Sequence, residues 1–150
     1  FKAWKFRTMV PNADNVLAQH LANHPELAAE WEATHKLKND PRVTSVGRWL
    51  RPLSLDELPQ IWNVLVGEMS LVGPRPIVAA EISKYADRYQ RYTQVVPGVT
   101  GLWQVSGRSD LDFDDLVRLD FLYLERWSVF LDLSIIVKTI PAVLMRRGAF

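Results

Sequence analysis

Residues 54–76 read SLDELPQIWNVLVGEMSLVGPRP. The stretch opens on two adjacent carboxylates, Asp56 and Glu57, ahead of an apolar run whose spacing predicts a helix to about Val66, with Gly67 as its stop. It closes in a glycine-proline loop that sets Arg75 between Pro74 and Pro76. A paired acid and a guanidinium on restricted backbone are parts that phosphate chemistry uses. Each also has a structural reading. Ser54 to Glu57 fits a capping box, with Ser54 at the N-cap and Glu57 reaching back to its N–H. Arg75 reads equally as a surface arginine in a turn. Cap and chemistry are compatible, because adjacent helical residues point roughly 100° apart. Asp56 can then face an electrophile while Glu57 faces a cation, at a helix start whose free N–H groups favour phosphate.

Upstream, residues 1–10 alternate aromatic and basic positions (Phe1, Trp4, Phe6 against Lys2, Lys5, Arg7), which predicts a short strand with Lys5 and Arg7 on one face. That face reads as solvated or as anion-binding. The abrupt start in FKAWKFRTM gives the expectation that the natural protein has a portion ahead of residue 1. Residues 12–36 predict a helical hairpin, an appendage with acidic Glu26, Glu30 and Glu32 on one side. Its histidines, His20, His24 and His35, lack metal-ligand spacing and read as solvated. Residues 36–51 form the most basic stretch, with Lys36, Lys38, Arg42, Arg48 and Arg51 against Asp40.

Downstream, residues 77–92 predict one helix, with Ile82, Tyr85 and Tyr89 on a face. PGVTGLWQVSGRSD (97–110) predicts turn, strand and turn, and Arg108 in its last loop reads as structural or as anion-binding. Residues 112–127 predict a helix opened by acids, which explains Asp112, Asp114 and Asp115 through the helix dipole. Asp120 is different. It sits among Leu119, Phe121 and Leu122, where a carboxylate costs energy unless paired, so a buried or interfacial partner is expected, an arginine among the candidates. Residues 128–145 predict an amphipathic helix kinked at Pro141, with Phe130, Leu133, Ile136, Val137, Ile140 and Leu144 as apolar members. That helix reads as core or, with Arg146 and Arg147 after it, as lying among lipid headgroups.

The chain of 150 residues fits one mainly helical α/β domain with few, short strands, occupying 1–150. Its 48% hydrophobic and 23% charged residues exclude a disordered chain, and the absence of cysteine excludes disulfides and thiolate sites. A net charge of +1 and the acidic first helices argue against a nucleic-acid binder. No run of 18 apolar residues is present, so these residues hold no transmembrane helix. The sequence leaves the oligomeric state open, a homo-oligomer included.

KFRTM (5–9), DPRVTSVGRWLR (40–51), SLDELPQIWNVLVGEMSLVGPRP (54–76), PGVTGLWQVSGR (97–108) and LDFLYLERWSVFLDL (119–133) occur in order across nearly the whole chain. In these blocks it resembles the catalytic domain of bacterial sugar transferases, the monotopic polyprenyl-phosphate hexose-1-phosphate transferases of the galactose or glucose type. The resemblance implies transfer of hexose-1-phosphate from a UDP-sugar to undecaprenyl phosphate, with Mg²⁺ and release of UMP, at the start of polysaccharide synthesis. It implies Asp56 as nucleophile, Glu57 as magnesium-associated carboxylate, and Lys5, Arg75 and Arg108 on phosphate, with Asp120 a further active-site acid. It also implies a membrane segment ahead of residue 1 and a site at the cytoplasmic face of the bacterial inner membrane. The competing expectation is a regulatory domain on the same fold that only binds nucleotide or anionic lipid.

Overall fold

The computed structural model describes residues 1–34, 37, 39–85, 89–107 and 111–145. Arg108 lies outside the described residues, as do His35, Lys36, Lys38, Arg146 and Arg147. The order is α1 (Ala13–Asn23), α2 (Pro25–Thr34), α3 (Ser45–Leu50), α4 (Gln60–Leu65), β1 (Ser70–Val72), α5 (Ile82–Tyr85), α6 (Tyr89–Tyr92), β2 (Gly98–Thr100), α7 (Leu102–Ser106), α8 (Phe113–Arg126) and α9 (Val129–Leu144). The mainly helical α/β class with short strands is borne out.

The hub is the parallel pair of β1 and β2, in register Ser70 with Gly98 and Val72 with Thr100. Two glycines make the approach possible. A Cβ on Gly98 would stand 2.1 Å from the Gly73 nitrogen, which no side chain tolerates. This contact sets the Gly73–Pro76 loop beside the Pro97–Gly98 turn. Two apolar clusters flank it. Val72, Tyr123 and Ile135 join β1, α8 and α9. Tyr85, Tyr92 and Val117 pack α5, α6 and α8 together. The Tyr85 and Tyr92 rings meet edge to face at 4.9 Å between centroids, a favourable quadrupole arrangement.

Several helices follow the sequence closely. Asp112 caps α8 by accepting from the Asp115 N–H, and Ser128 caps α9 by accepting from Leu131. α1 and α2 form a helical hairpin in which α1 buries no residue, and Trp31 of α2 carries the Arg42 guanidinium over its ring. Other expectations are corrected. Residues 1–10 form no strand; only Met9 bridges, antiparallel, to Val43. Their amides go elsewhere: Trp4 N–H donates to the Asn63 side chain and Phe6 N–H to the Asp56 carbonyl. A chain whose donors are taken by side chains and turns has no ladder to join.

The capping box at Ser54 does not form. Ser54 adopts a left-handed conformation, φ 52°, that ends a 3₁₀ turn (Arg51–Leu53), and its N–H donates to the Arg51 carbonyl. Asp56 and Glu57 therefore lie in a second 3₁₀ turn (Leu55–Glu57), and the helix proper begins only after Pro59. Proline at that position ends the backbone donors of the turn and fits a helix start. Gly67 does stop the segment, at φ 80°. The helix expected over residues 77–92 starts late: Ile77 and Val78 are not helical, a 3₁₀ turn (Ala79–Glu81) leads into α5, and α6 follows beyond residues 86–88, which lie outside the described residues. Residues 97–110 hold strand β2, but LWQVS coils into α7.

α9 continues through Pro141 to Leu144. Its Ile135 is buried, while Phe130, Leu133, Val137, Ile140 and Leu144 are exposed, Phe130 at 84%. These positions recur at intervals of three and four, so they form one outward stripe. The core reading of those residues is corrected. No helix among the described residues is long and apolar enough to cross a membrane.

Candidate active site

Asn63 organises the amino-terminal wall. It is fully buried, and its Oδ1 accepts from Trp4 N–H at 3.0 Å. Its Nδ2 donates to the Lys2 carbonyl at 2.8 Å and to Glu68 Oε2 at 2.7 Å. Phe6 N–H adds its 2.8 Å bond to the Asp56 carbonyl. An irregular segment is thus laid against the 3₁₀ turn, and Lys5 Nζ reaches Glu57 Oε1 at 2.6 Å. Sequence reasoning missed Asn63. The available signal was an amide in the apolar run IWNVLV, where burial demands partners.

Asp56, next along the turn, is half-buried. Burial, followed by the Glu57 charge, pushes its carboxyl above the usual range, with Lys5 and Arg51 pulling part of the way back. An exposed, fully solvated cap residue would not show this. The group is desolvated yet not sealed.

A further side chain at the cleft is Arg75. Its backbone amide points at buried Asp120, 3.3 Å from Oδ1 and 3.4 Å from Oδ2. The hydrogen-bond partner that Asp120 meets is the Arg75 main-chain amide rather than an arginine side chain. The guanidinium goes to Glu81, with Nη1 at 3.0 Å from each carboxylate oxygen. Asp120 is 1% exposed and sits behind the loop. Burial raises its carboxyl to about 7, opposed by the Arg75 amide and then by the Arg75 charge. Glu81 was also missed by sequence reasoning; its position six residues past Arg75 carries no motif.

Lys5, Glu57 and Arg75 line one open cleft of about 590 Å³, walled further by Gln60, Tyr92 and Trp103. The structure thus brings these charged groups together from separate segments. Asp56 adjoins Glu57 but is outside that lining, and Asp120 is behind it. A second, apolar groove of about 340 Å³ between the 3₁₀ turns and α9 shares Glu57, Val99 and Gln104 with the cleft. No group of three His, Cys, Asp or Glu side chains fit to hold a metal occurs among the described residues. Magnesium, however, is held well by one or two carboxylates together with substrate phosphates and waters. Glu57 fits that mode, because Lys5 takes its Oε1 and leaves Oε2.

The family description for bacterial sugar transferases matches residues 1–146. Over all of its length the chain is 54% identical to the undecaprenyl-phosphate galactose phosphotransferase of Salmonella typhimurium, covering 32% of that protein. It is 51% identical to the UDP-galactose-lipid carrier transferase of Erwinia amylovora, covering 31%. Against the exopolysaccharide production protein ExoY of Rhizobium meliloti it is 51% identical and covers 66%. The chain belongs to the bacterial sugar transferase family. It spans about a third of the length of the first two relatives.

Proposed function

We propose that this chain is the catalytic part of an enzyme that transfers hexose-1-phosphate from a UDP-sugar to undecaprenyl phosphate, releasing UMP. The reading rests on one observation: Lys5, Glu57 and Arg75 face a common cleft beside a half-buried Asp56. The relatives, named for undecaprenyl phosphate and UDP-galactose, support it, and their names favour galactose as the sugar.

The chemistry follows from charge. A carboxylate does not approach a diphosphate dianion until cations have neutralised it. Lys5 and Arg75, both lining the cleft, supply positive charge. Glu57 would hold Mg²⁺, which would polarise the phosphoryl oxygens. An Asp56 oxygen attacks the phosphorus that bears the sugar; the phosphoanhydride P–O bond breaks, and UMP leaves with the bridging oxygen. The lipid phosphate oxygen then attacks the same phosphorus and the bond to Asp56 breaks. The sugar diphosphate lipid forms and the carboxylate is restored. Partial desolvation of Asp56 suits a nucleophile, since less hydration must be removed before attack.

The outward stripe of α9, with exposed Ile61, Trp62 and Leu65 of α4, supports seating on a membrane surface, as the cytoplasmic face of the bacterial inner membrane. A lipid acceptor needs no deep channel there. The test is UMP release from a panel of UDP-sugars by the full-length protein. Release that depends on undecaprenyl phosphate supports the enzyme; nucleotide binding without release leaves a regulatory domain.

A further inference from the structure

We infer that Glu81 is a positioning residue for the proposed transfer, holding the Arg75 guanidinium by Nη1 so that its remaining donors face the diphosphate. This rests on the function proposed above. The Arg75 backbone is fixed by Pro74, Pro76 and the Asp120 contact. That constrains the Cα, not the long side chain, which keeps its rotamer freedom. Glu81 supplies the missing constraint, with both oxygens 3.0 Å from Nη1. Glu81 is itself held, because its Oε2 accepts from the Val78 N–H at 3.2 Å in the turn where it sits. The loop residue and the turn residue thus form one unit at the cleft edge, with Arg75 lining the cleft and Glu81 outside the lining.

The mode of contact is what gives it a role. Guanidinium carries five N–H donors. The described bonds to Glu81 use Nη1 alone, leaving Nε and Nη2, an edge suited to two phosphate oxygens. Removing Glu81 keeps the charge of Arg75 and loses its aim. Its effect on anion binding must therefore disappear when Arg75 is already gone, whereas a plain structural staple acts independently of Arg75.

The experiment is a double-mutant cycle on the full-length protein with Glu81→Gln, Arg75→Met and the pair, reading inorganic pyrophosphate affinity by calorimetry alongside UMP release. Glu81→Gln is expected to weaken pyrophosphate binding about fivefold in the wild-type background and by less than about twofold beside Arg75→Met. Glu81→Asp, which keeps the charge, is expected to recover part of the loss and serves if the Gln variant fails to fold. Unchanged affinity in Glu81→Gln, or an equal loss in both backgrounds, overturns the assignment. Wild-type protein that binds pyrophosphate with this coupling but releases no UMP keeps Glu81 in place and removes the transferase reading instead.

Discussion

Lys5 Nζ and Glu57 Oε1 lie 2.6 Å apart across 52 residues of sequence. The contact welds an irregular amino-terminal segment to the turn that carries the paired acids. Both side chains are substantially exposed, at 48% and 30%, so the pair contributes little to stability. Its consequence is electrostatic. Lys5 opposes the burial and the Glu57 charge that raise the Asp56 carboxyl. Lys5→Met should therefore raise Asp56 further and move the acid limb of the UMP-release pH profile upward. The melting temperature should change little. A limb that stays in place, measured from pH 4 to 8, contradicts the coupling.

Asp120 gives a stability prediction with a definite sign. Its folded value of about 7 lies above the ordinary 3.8, so folding favours the protonated form. The associated stability is fully present below about pH 4 and is lost as pH rises through about 7. Asp120→Asn mimics the neutral carboxyl. Denaturant unfolding should show the wild type losing on the order of a few kcal/mol relative to Asp120→Asn between pH 4 and 8. Parallel curves for the two proteins refute it.

Asn63→Leu removes the amide that bonds Trp4, Lys2 and Glu68. The orphaned groups should cost about 2–4 kcal/mol in unfolding free energy. Hydrogen exchange should quicken at Trp4 and Phe6 before it changes in α8. Equal protection in the variant would show that the side chain does not hold the segment.

Much of this was legible in the sequence, and the failures have physical causes. Asp112 and Ser128 announced their helices because a cap is a local event, decided by a few neighbouring bonds. Ser54 looked the same but was governed by Pro52 before it and Pro59 after it, which split the run into turns and a short helix. The amino-terminal strand failed because its partner is the Asn63 side chain, a contact about 60 residues away that no period reveals. Arg75 and Asp120 each carry a local signal in the sequence, Arg75 between two prolines and Asp120 among apolar neighbours. Their meeting depends on the Gly73–Gly98 approach, a tertiary fact. The α9 stripe was read correctly as amphipathic but not for its direction, since periodicity marks a face without saying what it meets.

Gly98→Ala tests that approach. The added methyl would collide with the Gly73 nitrogen at 2.1 Å and with the Thr100 carbonyl oxygen at 2.4 Å. The strand pair must separate, displacing Arg75. A destabilisation of about 2 kcal/mol or more is expected, with UMP release falling at least about tenfold at temperatures where the variant is folded. Wild-type activity and melting in Gly98→Ala would show that the approach does not position Arg75.

The proposed transfer turns on a covalent bond from Asp56 to phosphorus. The direct measurement is peptide mass spectrometry of full-length protein quenched after incubation with a UDP-sugar and Mg²⁺, without lipid acceptor. A hexose-phosphate adduct is expected on the peptide containing Asp56, absent in Asp56→Asn and discharged on adding undecaprenyl phosphate. UMP release at wild-type rates from Asp56→Asn, or an adduct located on another residue, contradicts it.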